Sequence, residues 1–479
     1  MINIEQKLSE LYASSFGQLP DSVIKLAGSG SYRSYYRIRG GGGTVVGVHN
    51  DNKAENAAFV AFSNQFREDG LPVPEVIADE PGNCIYLLTD LGDTTLYQLL
   101  TEKRTGEDPF PAEIVELYKK ALNWLPVFQV KAGLNLDFSL CYPRAVFDRQ
   151  SMMWDLNYFK YYFLKLAKVP FDEQALEDDF TSLCDLLTGV DADFFLYRDF
   201  QSRNIMIRNG EPWFIDYQGG RRGALQYDVA SLLTDAKADI PMPVRKELLQ
   251  YYLDKLEEVY PVDREKFLEK YYGFVLIRIL QALGAYGFRG YYENKPHFLL
   301  SIPFAFRNLK YLRENNNIGF GLHALMEVID QMIEKPEFYV KQAGTSTLTV
   351  SIRSFSFKRS IPHDHSGNGG GFVFDCRALP NPGRYETFRA LTGKDQPVID
   401  FLKKEEAVDV FLNHACALTG QSIKTYMERG FTNLMVSFGC TGGRHRSVYC
   451  AEELAKYLKQ QFNVTIKVRH VEQEGGSEL

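Results

Sequence analysis

Three side chains near the middle of the chain have the types and spacing of a phosphoryl-transfer site. The apolar run Phe194-Phe-Leu-Tyr-Arg ends at Asp199, and Asn204 follows five residues later. A second run, Trp213-Phe-Ile, delivers Asp216 twelve residues after Asn204, with a turn at Asn209-Gly210 between the runs. A carboxylate such as Asp199 can take or orient the proton of an acceptor hydroxyl. An amide oxygen and a second carboxylate, Asn204 and Asp216, can hold Mg²⁺ against nucleotide phosphates. A hairpin joining the two runs would bring all three to one edge. ATP and Mg²⁺ are therefore the expected cofactors.

A second set of chemical groups lies near the C-terminus. Gly439-Cys-Thr-Gly-Gly-Arg-His-Arg-Ser447 joins a strand-like run to a helical pattern. Backbone N–H groups of Thr441, Gly442 and Gly443 at a helix start, with Arg444, His445, Arg446 and Ser447, form an anion cradle. Cys440 and Arg446 also stand at the C-x₅-R spacing of cysteine phosphatases, where a thiolate attacks phosphate. Gly439 precedes the cysteine, and no acidic loop follows to protonate a leaving oxygen. Phosphate binding is the reading favoured over hydrolysis.

The elements that must position these groups follow from periodicity. Residues 4–17 read as an amphipathic helix. Strand patterns at 21–27, 35–39 and 44–49 flank the loop Gly28-Ser29-Gly30-Ser31, a candidate phosphate cover, and a tetraglycine turn at 40–43. The third strand ends Gly47-Val48-His49 and lacks the lysine that protein kinases use on the α- and β-phosphates. Either Lys53 reaches back or the site dispenses with that contact. His49 reads as a strand end. Glu55 to Arg67 suits a helix with Ala58, Phe59, Phe62 and Phe66 on one side and Glu55 as a partner for a basic group. The strand from Ile85 runs into Asp90 and Leu91, where a two-lobed kinase has its hinge and backbone groups meet the base; the alternative is a plain strand end.

Residues 111–190 are helical in pattern and aromatic, and Trp154 with Tyr158 to Phe163 reads as a core helix or as a wall for an acceptor. Asp228 is expected to cap or brace the helix that follows it. A boundary is expected over 341–346, separating a domain of residues 1–340 (lobes of about 1–90 and 91–340) from one of residues 345–479. In the latter, strands at 348–352, 372–375, 434–438 and 464–468 alternate with helices, a small α/β domain. His363 and His365 lie in a glycine-rich loop that reads as solvated rather than metal-binding.

Composition narrows the partners. The chain has 479 residues and a net charge of −7. Residues 345–479 carry 17 basic and 14 acidic side chains, which leaves the remainder at −10, a poor polyanion binder. The apolar stretch from Phe274 to Phe288 is broken by Arg278 and too short for a bilayer. The first residues show no secretory apolar core, and seven scattered cysteines suggest reduced thiols in a cytoplasm.

Several stretches carry a family resemblance: Leu26 to Arg37, Val73 to Val76, Leu88 to Asp93, Arg198 to Asn204, Ile215 to Gln218 and Tyr227 to Leu233. Through them the first 335 or so residues resemble the aminoglycoside/choline-kinase-like phosphotransferases. Among these, the likeness is to bacterial kinases that phosphorylate the anomeric hydroxyl of N-acetylmuramate and N-acetylglucosamine. The resemblance implies an α+β, protein-kinase-like two-lobed fold, with Asp199 catalytic and Asn204 and Asp216 on Mg²⁺. Tyr197 stands where the family usually has His. Residues 348–471 look like the C-terminal domain of the RNase adapter protein RapZ, through Phe374 to Pro382, Leu391 to Val398 and Gly439 to Tyr449. That implies an amino-sugar phosphate in the cradle and RNA as a second partner. Gly383 and Arg384 replace the family's His after Asn-Pro, and the tail from Glu472 is acidic where the family's is basic, which weighs against RNA. The expected protein is a cytoplasmic sugar kinase joined to a sugar-phosphate-binding domain. The other readings are an adaptor that binds nucleotide without turnover, or a kinase acting on an aminoglycoside or choline.

Overall fold

The structure is a computed structural model that describes residues 4–26, 33–293, 295–315, 321–335, 338, 348–364, 366, 371–428 and 431–473. Contacts between Cα atoms divide the chain into two compact units, Met1–Tyr339 and Val340–Leu479. Among the described residues, no helix is long and apolar enough to cross a membrane.

The first unit opens with α1 (Ile4–Phe16) and a five-stranded antiparallel sheet. Its strands are β1 (Ser22–Lys25), β2 (Ser34–Gly40), β3 (Gly43–His49), β4 (Val76–Glu80) and β5 (Ile85–Thr89), in the order β1-β2-β3-β5-β4. Both faces are covered, so β5 is an unbroken apolar run. Ile85 and Leu87 face α1 with Leu8 and Tyr12, whereas Tyr86 and Leu88 join Ala58, Phe59, Phe62 and Phe66 of α2 (Lys53–Glu68).

A larger, mostly helical lobe follows. It contains α3 (Leu96–Lys103), α4 (Ala112–Pro126), α5 (Arg149–Phe159) and α6 (Glu173–Thr188), then four short strands. These are β6 (Phe194–Leu196), β7 (Ile205–Arg208), β8 (Glu211–Phe214) and β9 (Arg221–Gly223), with β6 paired to β9 and β7 to β8. The β7–β8 turn places Asn209 at φ +54° and Gly210 at φ +76°, the left-handed pair that a two-residue hairpin needs. Helices α7 (Gln226–Leu233), α8 (Met242–Glu257), α9 (Arg264–Gly287), α10 (Ile302–Asn315) and α11 (His323–Glu334) complete the lobe. The expected core helix around residue 158 is only half right. Phe159 and Phe163 are buried, but Trp154 is 45% exposed with Arg144 lying over its ring, and Tyr161 is 48% exposed. Aromatic content marks surface that can be buried; which ring turns inward depends on the helices packed against α5.

The second unit is a parallel sheet of β10 (Thr349–Ser356), β11 (Gly371–Asp375), β12 (Asn433–Cys440) and β13 (Thr465–His470), ordered β11-β12-β10-β13. Helices α12 (Gln396–Leu402), α13 (Glu406–Glu428) and α14 (Arg446–Gln461) connect the strands. Val448, Ala451, Ala455 and Leu458 of α14 are buried, the last three in the core shared with the sheet. His365 and residues 367–370 of the glycine-rich loop lie outside the described residues.

Helix α9 packs directly on the backbone between Tyr158 and Phe163. A Cβ on Gly287 would stand 2.1 Å from the Tyr162 carbonyl oxygen, and one on Gly284 would stand 2.9 Å from the Phe159 nitrogen. Backbone cannot yield as a flexible side chain can. Gly287→Ala is therefore expected to lower stability by about 1–3 kcal/mol or more. Gly106→Ala, which meets nothing within 4 Å, should be near neutral by comparison. Urea denaturation of both variants checks this.

Candidate functional site

The site in the first unit is built on the loop after β6. Tyr197 and Arg198 donate their backbone N–H groups to the two carboxylate oxygens of Asp228, at 2.8 and 3.0 Å. Asp228 thus braces the loop from inside the first turn of α7 and does not cap its own helix, a correction to the expectation above. Its partners lie some thirty residues upstream, where no local capping rule looks. Arg198 takes φ +81° and sends its guanidinium onto Asp155 of α5 at 2.7 and 2.6 Å, with the Tyr227 hydroxyl 2.6 Å away. Tyr197 is buried and donates its hydroxyl to the Ile215 carbonyl at 2.6 Å, tying this loop to the one that carries Asp216.

Held in this way, Asp199 projects half-exposed, its side chain 39% accessible, with Arg278 Nη2 of α9 at 3.8 Å. The chain then turns once, with Ser202 donating to Asp235 at 2.8 Å, and reaches Asn204 just before β7. Asn204 Nδ2 donates to the Asp199 carbonyl at 2.8 Å and to Asp216 Oδ2 at 3.2 Å. Asp199, Asn204 and Asp216 therefore meet at one edge. Burial and the charge of Asp199 raise the carboxyl of Asp216, and a hydrogen bond from Gln218 Nε2 at 2.7 Å counters part of that rise.

The oxygen donors present fit Mg²⁺, which prefers one or two carboxylates completed by phosphate and water oxygens. Asn204 commits its amide nitrogen to protein acceptors, which turns its Oδ1 the other way. Gln218 Oε1 is buried without a hydrogen-bond partner while its Nε2 holds Asp216, so an acceptor beside Asp216 is unsatisfied. Gln218 went unassigned from sequence alone. Among the described residues no three His, Cys, Asp or Glu side chains cluster as a metal cage. A cation here would be completed by the nucleotide.

The nucleotide-side expectations fall unevenly. Gly28, Ser29, Gly30 and Ser31 lie outside the described residues. Asp90 follows β5 as expected, but its carboxylate is taken by Arg37 of β2, at 2.7 and 3.1 Å, and by the Gly92 N–H. Leu91 is buried beside it. Lys53 is exposed at the start of α2, while Arg33, just ahead of β2, is buried with Nη2 3.2 Å from Glu55 Oε1.

In the second unit the loop from Cys440 to Arg446 borders a pocket of about 170 Å³, together with Asn381 and Gly383. Gly443 takes φ +64°, and a Cβ there would lie 2.9 Å from the Ser356 nitrogen. Cys440 Sγ lies 3.2 Å from Ser447 Oγ. Burial pushes the Cys440 thiol up, but hydrogen bonds from Ser447 and from the Gly442 and Gly443 N–H groups outweigh it and hold the thiol below its usual value. Arg446 is buried; Nη1 donates to the Arg377 and Leu379 carbonyls, and Nε has no partner. Arg444 is exposed and donates to the Ala390 carbonyl, and His445 Nε2 lies 2.9 Å from the Phe388 carbonyl. Thr441 receives Ser356 Oγ at its carbonyl.

Comparison with known proteins bears on both sites. The profile of the phosphotransferase enzyme family matches residues 23–265, and that of the RapZ C-terminal domain matches residues 348–474. The chain belongs to the phosphotransferase enzyme family and carries a RapZ-type C-terminal domain. Its first unit is accordingly a two-lobed, kinase-like α+β fold, followed by a small α/β domain. The chain is 35% identical over 179 residues to a nucleotide-binding protein of Fervidobacterium nodosum, covering 33% of this chain and 62% of that one. It is 40% identical over 126 residues to one of Bacillus velezensis, covering 26% and 41%. The chain thus spans about half the length of the curated relatives it matches. Choline kinase LicA from Streptococcus pneumoniae aligns over 69% of this chain and 99% of its own, at 15% identity and a TM-score of 0.41. A thermostable mutant of aminoglycoside phosphotransferase APH(4)-Ia aligns over 64% and 99%, at 15% and 0.43.

The brace on the loop has a pH signature. Burial raises the Asp228 carboxyl to about 7, against three N–H donors that favour its charge. An exposed Asp titrates near ~4. The folded state therefore takes up a proton between the two values, and the stability this contributes at low pH is lost as the pH rises through about 7. Asp228→Asn turns an amide N–H toward a donor and is expected to cost about 1–3 kcal/mol. Since only the wild type gains from protonation, its margin over the variant should be wider at pH 5 than at pH 8 in urea melts.

Proposed function

We propose that the first unit is an ATP-dependent, Mg²⁺-requiring cytoplasmic kinase acting on a sugar hydroxyl, with the anomeric hydroxyl of N-acetylmuramate or N-acetylglucosamine as the preferred acceptor. The observation that carries this reading is the Asn204 amide, which joins the Asp199 backbone to the Asp216 carboxylate and sets acceptor-side and metal-side groups at one edge. Asp199, half-exposed at the end of a braced loop, accepts the hydrogen bond of the acceptor hydroxyl and points its oxygen at the γ-phosphorus. Mg²⁺, when bound, supplies charge neutralisation at the phosphates; Asn204 and Asp216 would hold it, with Gln218 orienting Asp216. Arg278, anchored to Ser231 at 2.9 Å, limits where the Asp199 carboxylate can swing.

Asp199→Ala and Asp216→Ala should each lower kcat by at least about 10²-fold. Only the second should markedly weaken Mg²⁺-dependent nucleotide binding. Assays with N-acetylmuramate and N-acetylglucosamine, with ³¹P spectra of the product, separate an anomeric phosphate from a 6-phosphate. Unchanged ATP across a broad sugar panel would instead favour a nucleotide-binding adaptor.

The second unit is read as a sensor of an amino-sugar phosphate. The support is a buried Arg446 whose Nε lacks a partner at the rim of a pocket large enough for a phosphate. The thiol of Cys440 is depressed, but Asn381 in the same pocket is an amide and cannot protonate a leaving oxygen. With His445, which also lines the pocket, set against the Phe388 carbonyl through Nε2, binding without hydrolysis is the reading we favour. On the full chain, Arg446→Ala should remove the calorimetric signal of glucosamine-6-phosphate, whereas Cys440→Ser should largely keep it. Phosphate release that depends on Cys440 would overturn the sensor reading.

A further inference from the structure

The third strand of the first unit carries no lysine, yet a kinase site needs a cation for the inner phosphates. The geometry points to Arg33 as that cation: it reaches the nucleotide phosphates from its place just ahead of β2, with Glu55 as its counter-ion, and stands in for a lysine on β3. This deepens the kinase reading and rests on it.

Three observations place Arg33 in that role. It stands just ahead of β2, immediately after residues 27–32, and is only 5% exposed, an expensive position for a guanidinium unless its charge is matched. Its Nη2 lies 3.2 Å from Glu55 Oε1 on the first turn of α2, the helix behind the sheet. Glu55 is fixed in turn, because Asn50 Nδ2 donates to its Oε2 at 3.0 Å and also to Asn56, and Asn56 donates back to the Asn50 carbonyl at 2.6 Å. The guanidinium also lies over the Phe59 ring, 5.7 Å from its centroid, which fixes its plane.

The surroundings favour a functional cation over a structural pair. Burial works against the charge of Arg33, but Tyr86, Tyr35, Glu55 and Asp216 together favour it, and the last is the residue assigned to the metal. Geometry links the two: the Phe59 ring under the guanidinium stacks at 5.1 Å on Tyr217, the residue after Asp216. The other basic candidates nearby are committed or turned away. Arg37 is bound to Asp90 and Asp93, His49 lies against Asp51 at 3.5 Å, and Lys53 is exposed.

Calorimetry on the full chain with Mg²⁺ and ATP, ADP or adenosine separates phosphate contact from fold damage. Arg33→Ala should weaken ATP and ADP by roughly 10- to 100-fold, the range of a charge-assisted hydrogen bond, and leave adenosine unchanged. Arg33→Lys should recover part of the loss, and Lys53→Ala should match the wild type. Glu55→Gln should weaken ATP in the wild-type background and add little to Arg33→Ala. ATP binding by Arg33→Ala at wild-type strength would overturn the assignment while leaving the kinase reading intact. Equal losses for ATP and adenosine would make Arg33 a structural residue. A wild type that binds no nucleotide would remove the kinase reading itself, and this proposal with it.

Discussion

The first unit's chemistry depends on one buried carboxylate. Asp228 is fully enclosed, and it accepts the N–H groups of Tyr197 and Arg198 as well as Gln129 Nε2 at 3.3 Å. An ion removed from water costs several kcal/mol, and charge-assisted hydrogen bonds of about 1.5–3 kcal/mol each are what offset it. Three such bonds bring the two sides of that balance close together. The consequence is geometric: the loop can turn at Arg198 with a positive φ only because its N–H groups are captured. From there Arg198 reaches α5, Tyr197 reaches Ile215, and Asp199 is left half-exposed at the edge.

The two lobes of the first unit are joined where that edge lies. Ser63 of α2 lies 2.6 Å from the Tyr217 hydroxyl, and the Phe59 and Tyr217 rings stack at 5.1 Å, nearly parallel at 4°. Phe66 meets Phe128, Phe195 and Tyr217 edge-on. Helix α2 therefore carries Glu55 at one end and, along its buried side, the rings that pack on the residue after Asp216. Any shift of α2 changes the Glu55–Arg33 pair and the Asp216 strand together. That coupling is a property of packing, since close-packed aromatic rings transmit displacement rather than absorb it.

The second unit solves a different problem with a parallel sheet. Strand β12 is central and ends at Cys440, so its loop emerges at the carboxyl edge, where open α/β sheets collect ligands. The loop's own donors shape it: Arg446 holds the Arg377 and Leu379 carbonyls, and Gly393 donates to the Arg444 carbonyl at 2.9 Å. Glu472, from the acidic tail, packs against Gly443 and pairs with Arg359 at 3.2 Å. A carboxylate behind the loop is a poor companion for a polyanion.

What could be read from the sequence is what local physics determines. The apolar run Ile85-Tyr-Leu-Leu, the Asn209-Gly210 turn and the buried face of α14 follow from composition, period and turn chemistry, and the structure has them where expected. The spacing from Asp199 to Asn204 to Asp216 was legible because one hairpin joins them. Other features needed the tertiary structure. Trp154 looked like core and is half-exposed; Asp228 looked like a helix cap and holds a loop. Glu55 was recognisable as a partner for a cation, but which one could not be read: Lys53 is near in sequence and faces solvent, while Arg33 is 22 residues away and buried. Periodicity says which side of an element is apolar. Which charges meet is decided by how elements from distant parts of the chain pack, because a buried charge must find its partner wherever the fold has left one.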